Sequence, residues 1–109
     1  MIQNSNYSPH RFGELAEKKT YEYLTQQGLL LLERNYRCLL GEIDLIMQDN
    51  GVLVFIEVRL RNNPTYASGL ESVTLTKQNK IVKTAMYYLQ QHNLGNKSIC
   101  RFDVVGVTC

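Results

Sequence analysis

Asp44 and Glu57 stand at mirror-image positions on either side of Asn50-Gly51, and two carboxylates so placed are the raw material of a divalent-cation site. The runs Gly41-Glu42-Ile43-Asp44-Leu45-Ile46-Met47 and Val52-Leu53-Val54-Phe55-Ile56-Glu57-Val58-Arg59 are rich in β-branched and aromatic residues. Asn-Gly between such runs signals a type I′ hairpin, because that turn requires positive φ at both central residues. With Asn50 and Gly51 as the loop, Met47 faces Val54, Leu45 faces Ile56 and Asp44 faces Glu57 directly. Like charges opposite each other on one sheet face repel. A chain keeps such a pair most readily where a cation holds it. The same register sets Glu42 opposite Arg59 on the carboxylate face, since side chains two apart share a face. The other face reads Ile43, Leu45 and Met47 against Val54, Ile56 and Val58, a continuous apolar surface. A structural reading stands beside the functional one: Asp44 and Glu57 in an ionic network with Arg59 and Arg101, and Asp103 paired with Arg101.

The elements around the hairpin follow from caps and periodicity. Ser8-Pro9 is a helix start, with Ser as cap and Pro at the first helical position. Phe12, Leu15, Ala16, Tyr23 and Leu24 then mark an apolar stripe that stops at Gly28, a natural position for a left-handed cap. Leu29 to Tyr36 reads as a buried strand leading into the hairpin. Asn62 to Gly69 has turn chemistry and no periodicity. A second helix begins near Thr74 or Thr76 and buries Ile81, Val82, Ala85, Met86 and Leu89. Ile99 to Val107 alternates as a last strand. Helix, three strands, helix, strand is an α/β order, and a parallel crossover through the second helix gives a mixed sheet flanked by helices.

The second helix carries Lys77, Lys80 and Lys83 near its amino end, where the dipole already points positive. A phosphate backbone would satisfy both the lysines and the free amides of the first turn. Arg61 and the loop beyond it flank the same groove, and Tyr66 is placed to stack on an unpaired base. On this reading Lys77 and Lys80 are plain phosphate contacts, without influence on a metal.

At 109 residues and 44% hydrophobic content the chain reads as one domain spanning 1–109, with 1–8 flexible and 62–72 a loop. No apolar run approaches the ~20 residues a membrane span needs. The polar start, Met1 to Ser8, lacks the layout of a signal peptide, so a cytoplasmic protein is expected. Cys38, Cys100 and Cys109 are an odd number without metal-ligand spacing and read as reduced thiols. His10 and His92 are isolated, which weighs against His-centred hydrolysis. The net charge is only +2, so polyanion binding must come from local patches.

Arg11-Phe12-Gly13-Glu14-Leu15-Ala16, Gly41-Glu42-Ile43-Asp44-Leu45-Ile46, Phe55-Ile56-Glu57-Val58-Arg59-Leu60-Arg61, Lys77 to Ala85 and Arg101-Phe102-Asp103-Val104-Val105 together resemble the YraN family of small uncharacterised bacterial proteins. That family is similar to the restriction-endonuclease-like superfamily, which includes archaeal Holliday junction resolvases. The resemblance implies that Asp44 and Glu57 are the two acidic metal ligands, with Glu14 on the preceding helix as an auxiliary one. It places Arg59 where a lysine usually stands. It implies a Mg²⁺- or Mn²⁺-dependent endonuclease acting on nucleic acid, DNA first and branched DNA among the candidates, with a homodimer among the expectations. The alternative is a nucleic-acid-binding or protein-interaction module on a nuclease fold.

Phosphodiester hydrolysis uses a divalent cation to polarise the phosphate and supply hydroxide near neutral pH. Mg²⁺ accepts a few carboxylates plus water and substrate oxygens. Arg59 cannot lose its proton and so cannot serve as a general base, though it can stabilise charge on phosphorus. The expected site is thus Asp44, Glu57 and Arg59 for chemistry, Asp44, Glu57 and Glu14 for metal, and Arg59, Arg61, Lys77 and Lys80 for nucleic acid.

Overall fold

The structure, a computed structural model, describes residues 9–61 and 73–108. The segments expected to be flexible (1–8) and looped (62–72) lie outside the described residues, as do Tyr66 and Cys109. Helix α1 runs Pro9–Gln26, followed by strands β1 Leu30–Cys38, β2 Gly41–Asp49 and β3 Val52–Arg61. Helix α2 is Leu75–Gln91, and a 3₁₀ turn at Gly95–Lys97 leads into β4 Cys100–Thr108. The α-β-β-β-α-β order read from the sequence holds.

The four strands lie in the order β1-β2-β3-β4. β1 pairs with β2 and β2 with β3 antiparallel, and β4 joins β3 in parallel after the crossover through α2. The Asn50-Gly51 turn has positive φ at both residues, 50° and 86°, as a type I′ turn requires. The β2–β3 pairs Leu45 with Ile56 and Met47 with Val54 follow, in the expected register. The helix signals hold too. Gly28 has φ 102°, and the Thr74 side chain accepts from the Lys77 amide at 3.1 Å as cap of α2.

Four expectations about faces need correction. The sheet is covered on both sides, so both faces of the hairpin are apolar. Leu45, Met47, Val54 and Ile56 pack with Leu29 against Tyr21 and Leu24 of α1. Ile43, Ile46, Leu53 and Phe55 pack with Tyr36 against Ala85 and Tyr88 of α2. Ile43 therefore joins the α2 side, opposite Leu45, because the regular β2–β3 ladder begins at Leu45–Ile56 and the alternation breaks at Asp44. β1, expected to be buried, is an edge strand in which Leu30, Leu31 and Leu32 are exposed and Tyr36 alone is buried. On α2 the buried residues are Thr84, Ala85 and Tyr88, while Val82 and Met86 face outward.

The α2 contact is close. An added Cβ at Gly41 would stand 2.9 Å from Thr84 Oγ1, and Gly41 adopts φ 154°. Thr84 is fully buried and donates to the Lys80 carbonyl at 2.8 Å. Strand and helix thus touch where β2 begins, three residues before Asp44.

Candidate metal and nucleic-acid site

Where the β2–β3 ladder stops, a side chain takes over from the backbone. The Val58 amide donates to Asp44 Oδ2 at 2.8 Å. This bond explains why Asp44 is not a regular ladder partner of Glu57: its carboxylate occupies the donor that pairing would use. The two carboxyls still share one end of the sheet, and both line a cleft of about 730 Å³ with Arg37, Thr74, Lys77 and Lys80.

Asp44 is half-buried, and burial pushes its carboxyl up to about 7 against the pull of the Val58 amide; the negative charges of Glu57, Glu17 and Glu42 push it further in the same direction. Glu57 is more buried, at 8% exposure. Its Oε2 receives the Lys77 ammonium at 2.7 Å and the Arg59 guanidinium at 3.3 Å. One carboxylate oxygen carries two cations.

A helical carboxylate that interacts with Asp44 is Glu17, one turn beyond Glu14. Glu17 lies within hydrogen-bonding reach of Asn35 and Asp44, and burial raises its carboxyl above the ordinary range despite nearby Arg34. Its Oε1 is buried with no hydrogen-bond partner. Glu14, one turn earlier, is exposed and shares with Glu17 and Asn35 a hollow beside the cleft, with Arg37 and Glu42 lining both. Spacing alone does not separate the two, because positions 14, 17, 21 and 24 all fall on one helical stripe; burial does, since Glu17 is half-buried beside Ala16 and Thr20 while Glu14 is exposed.

The charge pairs expected around the site are redistributed. Glu42 pairs across the β1–β2 ladder with Arg37 at 3.5 Å, not with Arg59, because Arg37 is its register partner. Arg101 binds Asp49 and Asp103, each at 3.1 Å, at the turn end of the hairpin, so it takes no part in a network with Asp44 and Glu57. Arg59 and Lys77 are at the site and Lys80 lines its cleft. Arg61 ends β3, but its side chain is outside those described.

Among the described residues no three His, Cys, Asp or Glu side chains are gathered into a group that could hold a metal ion by themselves. A closed structural site is therefore not what these residues make. Their chemistry fits an open one. Asp44 and Glu57 offer hard oxygens, Glu17 beside Asp44 has a buried oxygen without a hydrogen-bond partner, and Mg²⁺ commonly takes only one or two carboxylates, completing its shell with water and phosphate oxygens. No described helix is long and apolar enough to cross a membrane.

Comparison with known proteins bears on the whole of this arrangement. A protein of Alkalilimnicola ehrlichii is 50% identical over 90% of this chain and 79% of its own length. One from Coxiella burnetii is 48% identical over 90% and 82%. A third, from Nitrosococcus oceani, is 48% identical over 88% and 77%. All three are named only as UPF0102 proteins. The family model described as "Uncharacterised protein family UPF0102" matches residues 16–107, from the turn of α1 that carries Glu17 to the end of β4. The chain belongs to this family, the YraN family that the Gly-Glu-Ile-Asp and Glu-x-Arg segments resemble.

Proposed function

We propose that this protein binds nucleic acid in the cytoplasm and hydrolyses phosphodiester bonds with Mg²⁺ or Mn²⁺, on the restriction-endonuclease-like plan. The observation that carries this reading is the meeting of Asp44 and Glu57 at one end of the sheet, in a cleft walled by Lys77, Lys80 and Arg37, with Glu17 of α1 beside Asp44. A bound divalent cation would supply the hydroxide and polarise the phosphate. Asp44 and Glu57 would hold it, and Glu17 would complete or orient the shell. Arg59, fixed against Glu57 and partly exposed, would stabilise charge on the phosphate; it stays protonated throughout. Lys80 and Arg37 would follow the phosphate backbone on either side.

The test is a cleavage panel of linear, single-stranded and branched DNA and RNA with Mg²⁺ or Mn²⁺, and Asp44→Asn as control. Cleavage by the native protein but not by the variant supports the reading. Retarded gel mobility without cleavage supports a second one, a binding module whose metal site is too weak to catalyse. A specific observation favours that second reading: Glu57 Oε2 is already satisfied by Lys77 and Arg59. Neither cleavage nor retardation would point to a protein-interaction role.

A further inference from the structure

Glu57 is held by an ammonium in the place where a metal site needs a free carboxylate. Its side chain is 9% exposed, and a carboxylate this buried is costly unless something positive compensates it. Lys77 Nζ does so at 2.7 Å, closer than the Arg59 guanidinium on the same oxygen. Yet the Lys77 side chain is itself 43% exposed, reaching in from the solvent on a flexible stem. Its backbone is fixed, because its amide is donated to the Thr74 cap. The ammonium can therefore leave without moving the helix. Arg59, on the same oxygen, would remain when it did. Lys80, one turn further on, lines the same cleft but makes no ion pair with Glu57 among the described residues.

We infer that Lys77 is a tethered counter-ion, which occupies Glu57 in the metal-free protein and passes to the phosphate backbone when a divalent cation takes its place. The inference rests on the metal-binding reading above and adds a coupling to it. An ammonium and a divalent cation compete for one carboxylate, so Lys77 weakens metal binding when no polyanion is present. A polyanion gives Lys77 another partner and removes the competition. Metal and nucleic acid then bind with positive cooperativity, each raising the affinity for the other by the same factor. Lys77 thus affects the metal as well as the phosphate, contrary to the independence expected from its sequence position alone.

Calorimetric titration of Mn²⁺ into the native protein, Lys77→Met, Lys77→Arg and Lys80→Met tests the competition. Lys77→Met should bind Mn²⁺ roughly tenfold tighter, the scale of one screened charge a few ångströms from the ion. Lys77→Arg and Lys80→Met should stay within about twofold of the native protein, since each keeps a charge at Glu57. Lys77→Gln is the second neutral variant should Lys77→Met lower the melting temperature. The coupling is read from the affinity for a phosphorothioate oligonucleotide with and without Mg²⁺ at constant ionic strength. The native protein should gain more from Mg²⁺ than Lys77→Met does. Mn²⁺ binding by Lys77→Met alone would mean complete masking and would support the inference. Equal or weaker Mn²⁺ binding in both neutral variants would overturn it and leave the metal site standing. No Mn²⁺ uptake by any variant would remove the metal site and this inference together.

Discussion

At the scale of single residues the site is a place where negative charge is crowded and unevenly compensated. Glu57 has two cationic partners, whereas Asp44 has one amide. With its carboxyl raised to about 7, Asp44 binds a proton more tightly folded than unfolded, so its contribution to metal-free stability is full below about pH 4 and is lost as pH rises through 7. Thermal melts of metal-free protein should fall by several degrees between pH 5 and pH 8. Asp44→Asn keeps an oxygen for the Val58 amide and should flatten that profile, ending more stable than the native protein at pH 8. An ionic network built for stability would behave oppositely, because removing one partner strands the other. Glu17 and Glu14 separate by the same logic. Glu17→Gln should weaken Mn²⁺ binding by roughly tenfold, the scale of losing a partner around a bound ion, while Glu14→Gln should leave it unchanged. Calorimetry on the two variants decides which helical carboxylate belongs to the site.

Between elements, the strongest local chemistry in the sequence translated directly into structure. Asn50-Gly51, Gly28 and Thr74 each sit where their backbone demands, and the hairpin register followed from the first of them. Apolar runs were less informative. Leu30-Leu31-Leu32 reads the same in a buried strand as at an exposed edge, because composition does not say whether a further strand lies alongside. Strict alternation predicts Ile43 on the face of Leu45, but it lies on the α2 side, because at Asp44 a side chain replaces the ladder. Lys77 on Glu57 joins two residues with the crossover between them, and no spacing rule spans that distance. The contact of Gly41 with Thr84 is of this non-local kind too. Gly41→Ala should cost about 1–3 kcal/mol, since both its φ of 154° and the 2.9 Å approach oppose a side chain. A fall in melting temperature of roughly 5–15 °C would show it. Thr84→Ala in the same chain should recover part of the loss by removing the hydroxyl that the new methyl meets.

For the molecule as a whole, a net charge of +2 provides little general attraction for a polyanion. Binding of the proposed kind must be local, and Arg37, Lys77 and Lys80 are the basic side chains that line the cleft. Helix α2 has no acidic residue in its first turn to offset its dipole. Lys80→Ala should weaken binding to all sequences alike and reduce the salt slope of log affinity by roughly one unit, without changing Mn²⁺ affinity. Titrations at several salt concentrations measure both quantities. An unchanged slope would move the nucleic-acid path away from α2, toward Arg61 and the segment beyond it.

The meeting of Gly41 and Thr84 also acts as a mechanical stop. Helix α2 is already against the backbone of β2 there, so the cleft cannot be squeezed narrower. The carboxyl half of the helix is pinned through Ala85 and Tyr88 to the sheet, and the amino half carries Lys77. A ligand entering the cleft therefore meets a wall that does not give on that side, and the part free to yield is the Lys77 side chain, whose ammonium can swing off Glu57 while the helix stays in place.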